Sequence, residues 1–134
     1  MDPQYKSKSQ EGDKRRIGIV KRVRVILSPE AKEVYNHLNE SAPHSKFERM
    51  ILKAINQKSE LIKKNKYYGE VLEDYRIPRE YKTRYEARNL FKVELPGFWR
   101  MLYTLTNEES IEIIAFVLGI MNHRQYDRKF KGRR

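Results

Sequence analysis

The sequence has 134 residues, of which 39% are hydrophobic and 35% are charged, and it contains no cysteine. A chain of this length favours one domain with its own core, and the composition is not that of a fully disordered protein. The lack of cysteine excludes disulfides, thiolate metal sites and cysteine nucleophiles, and no apolar run approaches the ~20 residues of a membrane span. We therefore expect a cytoplasmic protein with no membrane segment.

The formal net charge of +11 is concentrated near the two ends of the chain. Residues 1–24 carry eight lysines and arginines against three acids, and residues 121–134 carry six against one. This distribution favours a polyanionic partner, nucleic acid first, because neutralising phosphates releases counterions. Charge that serves solubility alone is the alternative. Residues 1–16 are predicted to form a basic flexible arm, and residues 17–134 a single domain.

The first predicted elements are a strand and a short helix. Apolar and basic residues alternate over residues 17–27, and the strand signal is firmest over Val23–Leu27. Ser28 and Pro29 are typical of a helix start, the first as N-cap and the second as first helical residue. The helix should end near residues 39–41.

A second helix should begin after Ser45, because Ser45 and Glu48 have the spacing of a capping box. Its apolar stripe predicts a face packed on a sheet, with the two helices forming an antiparallel pair. The stripe contains Phe47, Met50, Ile51, Ala54, Ile55, Leu61 and Ile62.

Residues 65–88 show no sustained period and predict an irregular or partly helical connection. Five of the nine tyrosines lie here, interleaved with lysine and arginine: Tyr67, Tyr68, Tyr75, Tyr81 and Tyr85. They could stack on bases and reach phosphates. We favour the alternative, in which they are half-buried aromatics against the sheet edge.

Three alternating or apolar runs then predict strands joined by two turns, the first a type II turn at Pro96–Gly97 and the second over residues 106–110. The last run is apolar on both sides except for Glu112, which favours the central strand. The predicted fold is α+β: one strand, two antiparallel helices packed on one sheet face, then a three-stranded antiparallel meander. The three predicted strands are Phe91–Leu95, Phe98–Leu105 and Ile111–Leu118.

Pairing within the last hairpin brings distant polar residues to one end of the sheet. If Leu105 faces Ile111, antiparallel pairing places Arg100 near Phe116, at the end where the chain leaves the sheet. The residues expected to converge there are Arg100, His123, Arg124, Tyr126 and Arg128. Taken singly, each has an ordinary explanation: a salt-bridged strand arginine, a surface histidine, a tyrosine that covers the core.

Together these residues supply what metal-independent RNA cleavage by the 2′-hydroxyl needs. His123 is the natural acid–base group near neutral pH, and Tyr126 is a possible partner. Arg100 and Arg124 could hold the phosphate and stabilise the charge that develops on it. No carboxylate cluster accompanies them, which disfavours a two-metal nuclease, and no metal or small-molecule cofactor is expected.

The run LFKVELPGFWRMLYTL, followed by IEIIAFVLGIMNHRQYDRKF, resembles the RelE/ParE toxin superfamily, in particular archaeal RelE-like toxins. Two short motifs carry the resemblance: the strand FWRMLY around Arg100, and His123-Arg-Gln-Tyr126 near the carboxy terminus. The element order also agrees, and the resemblance covers about Val23–Phe130. The basic arm and the long connection at 65–88 depart from the pattern of such toxins.

The resemblance implies a toxin of a type II toxin–antitoxin system, an endoribonuclease that cuts mRNA on the ribosome, inhibits translation and is neutralised by a cognate antitoxin protein. By position, Arg100 matches the arginine that stabilises the scissile phosphate, Arg124 a second arginine, and Tyr126 the tyrosine that activates the 2′-hydroxyl. His123 matches a histidine found in several members. RNA-binding residues are further expected among Lys92, Arg128, Lys129, Arg22 and Arg24.

Two other functions are compatible with the sequence. A ParE-like topoisomerase inhibitor would share the fold without the catalytic set, and the presence of His123 and Tyr126 argues against it. A non-catalytic nucleic-acid-binding module would need only the basic ends, and its binding should depend steeply on salt.

Overall fold

The computed structural model describes residues 22–107 and 112–131. The predicted basic arm at 1–16, the first residues of the predicted strand and the end of the second turn lie outside these ranges. Within them the elements, in chain order, are β1 (Arg22–Leu27), α1 (Pro29–Ser41), α2 (Lys46–Lys64), β2 (Glu70–Val71), α3 (Arg79–Tyr85), β3 (Phe91–Leu95), β4 (Trp99–Asn107), β5 (Glu112–Met121) and α4 (His123–Lys129). Short 3₁₀ turns occupy Ala42–His44, Asp74–Arg76 and Pro96–Phe98.

The strands form one mixed sheet in the order β1-β5-β4-β3-β2, with β1 parallel to β5 and every other pair antiparallel. The α+β class is confirmed, whereas the three-stranded antiparallel meander is wrong as a description of the sheet. Strands β3, β4 and β5 do follow one another as antiparallel neighbours, but the first strand, β1, pairs in parallel with the last strand, β5. Strand β2 was missed because two residues give no periodic signal. The last strand was predicted to be the central one, but the middle strand of the sheet is β4.

Serine side chains begin the first two helices, as the sequence predicts. The Ser28 hydroxyl accepts a hydrogen bond from the Ala31 amide at 3.1 Å and donates to the Leu118 carbonyl at 3.1 Å, so it also ties α1 to β5. The Ser45 hydroxyl accepts from the Glu48 amide at 3.2 Å. These caps satisfy amides that have no partner within their own helix.

The apolar face of α2 packs on one face of the sheet with α1, and it buries Ile51, Ala54, Ile55 and Ile62. The predicted stripe is only partly correct, because Phe47, Met50 and Leu61 keep 44%, 47% and 38% of their surface exposed. Phe47 lies in the first turn of the helix, and the other two lie at the edge of the stripe. A stripe drawn from helical period alone is wider than the contact that one sheet face provides.

The two predicted helices pack on one face of the sheet, as expected, but the opposite face carries a second core under α3, α4 and the connection that the sequence did not predict. Successive strand residues point to opposite faces, and Met101 and Leu102 accordingly belong to different cores. The buried members of the second core are Leu72, Ile77, Tyr81, Ala87, Leu90, Leu102, Leu118, Met121, Tyr126 and Phe130. The connection is partly helical, as predicted.

The register of the last hairpin also differs from the prediction. Leu105 pairs with Ala115 and not with Ile111, and Arg100 pairs with Met121 and not with Phe116. The predicted turn was too long, because β4 continues to Asn107, and β5 runs three residues beyond Leu118, with a bulge opposite Leu102/Tyr103. Arg100 therefore lies beside the residue that leads into α4. No helix of the described ranges is long and apolar enough to cross a membrane.

Candidate functional site

The candidate site begins where β5 ends and α4 starts, with only Asn122 between them. The Asn122 side chain accepts from the Gln125 amide at 2.9 Å, and the Gln125 side chain accepts from the Asn122 amide at 3.0 Å. This reciprocal capping box fixes the first turn of the helix on the end of the sheet. The sequence reading missed α4, although Asn122 and Gln125 had the required spacing.

Arg100 and His123, which are 23 residues apart in sequence, meet at this point. Arg100 Nη1 lies 3.4 Å from His123 Nδ1 and donates a hydrogen bond to the Phe98 carbonyl. Arg100 Nε lies 3.6 Å from a carboxylate oxygen of Glu94, and only 13% of the Arg100 side chain is exposed. The guanidinium is therefore a fixed positive charge on the face that α4 covers.

The His123 ring is held from both of its nitrogens and is still open to solvent. Its Nε2 lies 3.1 Å from Asp127 Oδ2, one helical turn further along α4, and 60% of the side chain is exposed. A guanidinium has donors only, so Nδ1 accepts the contact from Arg100 in the tautomer whose Nε2–H donates to the Asp127 carboxylate. In that tautomer the unprotonated nitrogen faces Arg100.

Tyr126 lies beneath the same cluster, inside the second core. Its ring stacks on Phe130 at 4.4 Å between centroids, and the guanidinium carbon of Arg100 lies 4.8 Å from the Tyr126 ring centre. Its hydroxyl is buried and makes no hydrogen bond to any residue that the structure describes. Tyr126 is thus brought next to Arg100 as a cation–π partner, with its hydroxyl facing away from solvent.

Lys92 joins the cluster from β3, with its ammonium group 5.7 Å from the centre of the Tyr126 ring. The ammonium lies 3.4 Å from carboxylate oxygens of both Glu70 and Glu94. Lys92 and Arg100, the two least exposed cations here, are therefore already paired with acids, and a phosphate group would have to compete with Glu94 for them.

The three basic residues of α4 have different surroundings. Arg124 is exposed and makes no hydrogen bond or ion pair with the described part of the chain. Arg128 and Lys129 line a cleft of about 380 Å³ with Glu30, Tyr81 and the end of β5. The Lys129 ammonium lies 2.6 Å from Glu80. Arg124, which follows His123 in sequence, therefore remains available for a ligand.

Arg22 and Arg24 are not brought to this cluster. Arg22 pairs with Glu112 at the start of β5, whereas Arg100 pairs with Met121 at its end. Nine strand residues separate those positions, a distance of about 30 Å. Arg24 instead forms an ion pair with Glu112 at 3.3 Å.

Three residues of the site were missed from the sequence: Glu94, Asp127 and Phe98. Glu94 alternates with the apolar residues of β3, a pattern that predicts only a solvated strand position. Asp127 could have been placed from its spacing of four to His123 if residues 123–129 had been recognised as helical. Phe98 was assigned to a strand, but it lies in the turn before β4 with φ of 64° and 72% exposure.

Comparison with models of protein families, with curated proteins and with solved structures gave no match. The likeness to RelE-type toxins therefore rests on the residues quoted from the sequence.

Proposed function

We propose that this chain is a RelE-like toxin that cleaves mRNA on the ribosome, without a metal ion, by attack of the RNA 2′-hydroxyl on the adjacent phosphate. The observation that carries the proposal is the contact between Arg100 and His123, with Asp127 on the other imidazole nitrogen. It joins a fixed positive charge to a titratable base at the exposed end of a rigid sheet.

The proposed reaction follows from these positions. A phosphate that binds Arg100 displaces the long contact to His123 and brings the neighbouring 2′-hydroxyl to Nδ1. His123 takes the hydroxyl proton, the 2′-oxygen attacks phosphorus, and the bond to the 5′-oxygen breaks. Arg100 stabilises the charge on the phosphorane, and Asp127 stabilises the imidazolium that forms.

Tyr126 takes a different part in this proposal from the one that the resemblance implies. Because its hydroxyl is buried, it is unsuited to proton transfer with RNA, and the leaving 5′-oxygen takes its proton from solvent. The Tyr126 ring instead supports the Arg100 guanidinium from below. We assign it a positioning role.

The partners in this proposal are ribosome-bound mRNA and a cognate antitoxin protein. Exposed Arg124 and the basic ends supply charge for the RNA backbone. Three exposed apolar side chains on α2, Phe47, Met50 and Leu61, support a protein partner on that side of the molecule.

The proposal is tested with ribosomes programmed with a defined mRNA. Primer extension should show one or a few cleavage sites with the wild type, with 5′-hydroxyl ends and 2′,3′-cyclic phosphates. A single 2′-deoxynucleotide on the 5′ side of a cleavage site should abolish cleavage there, because the nucleophile is gone. Cleavage of the deoxy-substituted mRNA at the same rate would contradict the 2′-hydroxyl mechanism.

A non-catalytic nucleic-acid-binding module is the second candidate, and specific observations favour it. The buried cations are paired with Glu70 and Glu94, and the Tyr126 hydroxyl is inaccessible. In that case the wild type leaves the programmed mRNA intact but binds RNA with a steep salt dependence, and His123→Gln binds equally well.

A further inference from the structure

Phe98 is the most exposed of the large hydrophobic residues that the structure describes, with 72% of its surface open. It belongs to the turn between β3 and β4, at the end of the sheet where Arg100 and His123 meet. Its ring centre lies 6.1 Å from that of His123, with the two planes tilted by 57°. An apolar ring therefore stands at the mouth of the proposed RNA site, without cover from the fold.

The backbone of Phe98 is held in an unfavourable conformation. Its φ is 64°, a value that glycine adopts freely and that a side chain with a β-carbon adopts at an energetic cost. Gly97 before it has φ of 68°, so two successive residues are left-handed. The Phe98 carbonyl accepts a hydrogen bond from Arg100, so the residue that faces the proposed phosphate also fixes this turn.

Neither burial nor local conformation accounts for a phenylalanine at this position. The ring adds little to the core, and glycine would fit the backbone better. Strained residues that the surrounding structure holds in place are found preferentially at functional sites. The position offers a flat apolar face, whose backbone is held by Arg100 and whose ring lies close to His123.

We infer that Phe98 is a base-stacking residue of the proposed site: it stacks on the base of the nucleotide whose phosphate binds Arg100. This inference rests on the proposed function, because it takes single-stranded RNA as the ligand. Every base has a face that can stack on an aromatic ring, and the arginines supply the backbone contact. RNA is favoured over a protein ligand because the Phe98 ring lies beside His123, in the proposed catalytic cluster.

The experiment measures binding of a ten-nucleotide, fully 2′-O-methylated single-stranded RNA, which cannot be cleaved, at low salt. Phe98→Gly should raise the Kd about 5- to 150-fold, the range expected for loss of one stacked base. The slope of log Kd against log salt should stay unchanged, because no charge is removed. The Tm should equal or exceed that of the wild type, by up to about 5 °C, because glycine relieves the left-handed backbone.

Two controls separate stacking from a general effect on the fold. Phe98→Trp should keep the wild-type Kd within about threefold, since the aromatic face is retained. Tyr75→Ala removes another aromatic ring, which is 62% exposed and hydrogen-bonded to Glu73, and should leave the Kd unchanged. An oligonucleotide with one abasic position at the stacked nucleotide should bind the wild type as weakly as the intact oligonucleotide binds Phe98→Gly.

The inference is overturned if the wild type does not bind the oligonucleotide, or if Phe98→Gly binds it within twofold of the wild type. It is also overturned if the Tm of Phe98→Gly falls by more than 3 °C, because the ring would then be part of the fold. These outcomes are distinct from failure of the proposed function. Should the wild type bind the oligonucleotide through Phe98 yet leave ribosome-bound mRNA intact, stacking stands and catalysis is rejected. Should it cleave mRNA while Phe98→Gly binds and cleaves normally, stacking alone is rejected.

Discussion

Replacing Arg100 by methionine should destabilise the protein, because Arg100 holds the site together as well as facing RNA. Methionine keeps the apolar stem and removes the guanidinium. The hydrogen bond to the Phe98 carbonyl contributes about 1–2 kcal/mol, and the contact with the Tyr126 ring contributes about 0.5–2 kcal/mol. The ion pair with Glu94 adds at most about 0.5 kcal/mol, because 58% of the Glu94 side chain is in solvent.

The expected loss is therefore about 1.5–4.5 kcal/mol in the free energy of unfolding, with a fall in Tm of roughly 6–18 °C for a chain of this size. Urea denaturation followed by circular dichroism measures it, provided that the m-value is unchanged. The matched control is Arg24→Met, whose side chain is 51% exposed and forms a surface ion pair with Glu112, and it should cost less than about 0.5 kcal/mol. An Arg100→Met protein within 0.5 kcal/mol of the wild type would refute this account of the cluster.

Three further changes test the fold and the charges of the site. Gly97→Ala should cost about 1–3 kcal/mol in urea denaturation, because φ is positive there and the new β-carbon would lie 2.7 Å from the Phe47 ring; a neutral effect would contradict the turn geometry. Burial raises the pKa of Tyr81 and Tyr103, so their contribution to stability is complete below the unfolded pKa of about 10 and is lost as pH rises above it. The part of the tyrosinate absorbance that comes from Tyr81 and Tyr103 should then appear only together with unfolding, above about pH 10. Ionisation of these two residues in a folded chain would contradict their burial. Glu94→Gln should tighten binding of the non-cleavable oligonucleotide about fivefold at low salt, because a carboxylate 3.6 Å from Arg100 Nε no longer competes with the phosphate, and like charges about 4 Å apart in water repel by about 1 kcal/mol; unchanged or weaker binding would show that the phosphate lies elsewhere.

The elements that the sequence predicts well are those whose signals are local. The Ser28–Pro29 and Ser45–Glu48 pairs locate two helix starts, since a cap is a contact between residues three apart. Alternation locates β3 at its observed bounds, and it locates β4 to within one residue at its start and two at its end. Strand pairing depends instead on where a turn closes, so the register of β4 and β5 was misplaced, and the parallel pairing of β1 with β5 has no local signal.

The candidate site could be predicted only in part, for the same reason. The sequence correctly predicts that Arg100 and the residues after Met121 lie at one end of the sheet. An error in register changes which residues pair but not the direction in which the two strands run. It could not show that the Tyr126 hydroxyl is buried, because that depends on how α4 rotates onto the second core. The pairing of Arg100 with Glu94 depends likewise on the β3–β4 register.

The central claim, that the meeting of Arg100 and His123 is a cleavage site, is tested most directly at His123. This side chain is 60% exposed, so His123→Gln should change the free energy of unfolding by less than about 0.5 kcal/mol, unlike a change at Arg100. Cleavage of ribosome-bound mRNA should fall about 10²- to 10⁴-fold, as expected for loss of a general acid–base group, while binding of the non-cleavable oligonucleotide stays within twofold of the wild type. A folded His123→Gln protein that cleaves at the wild-type rate, or a wild type that binds RNA and never cleaves it, would contradict the account.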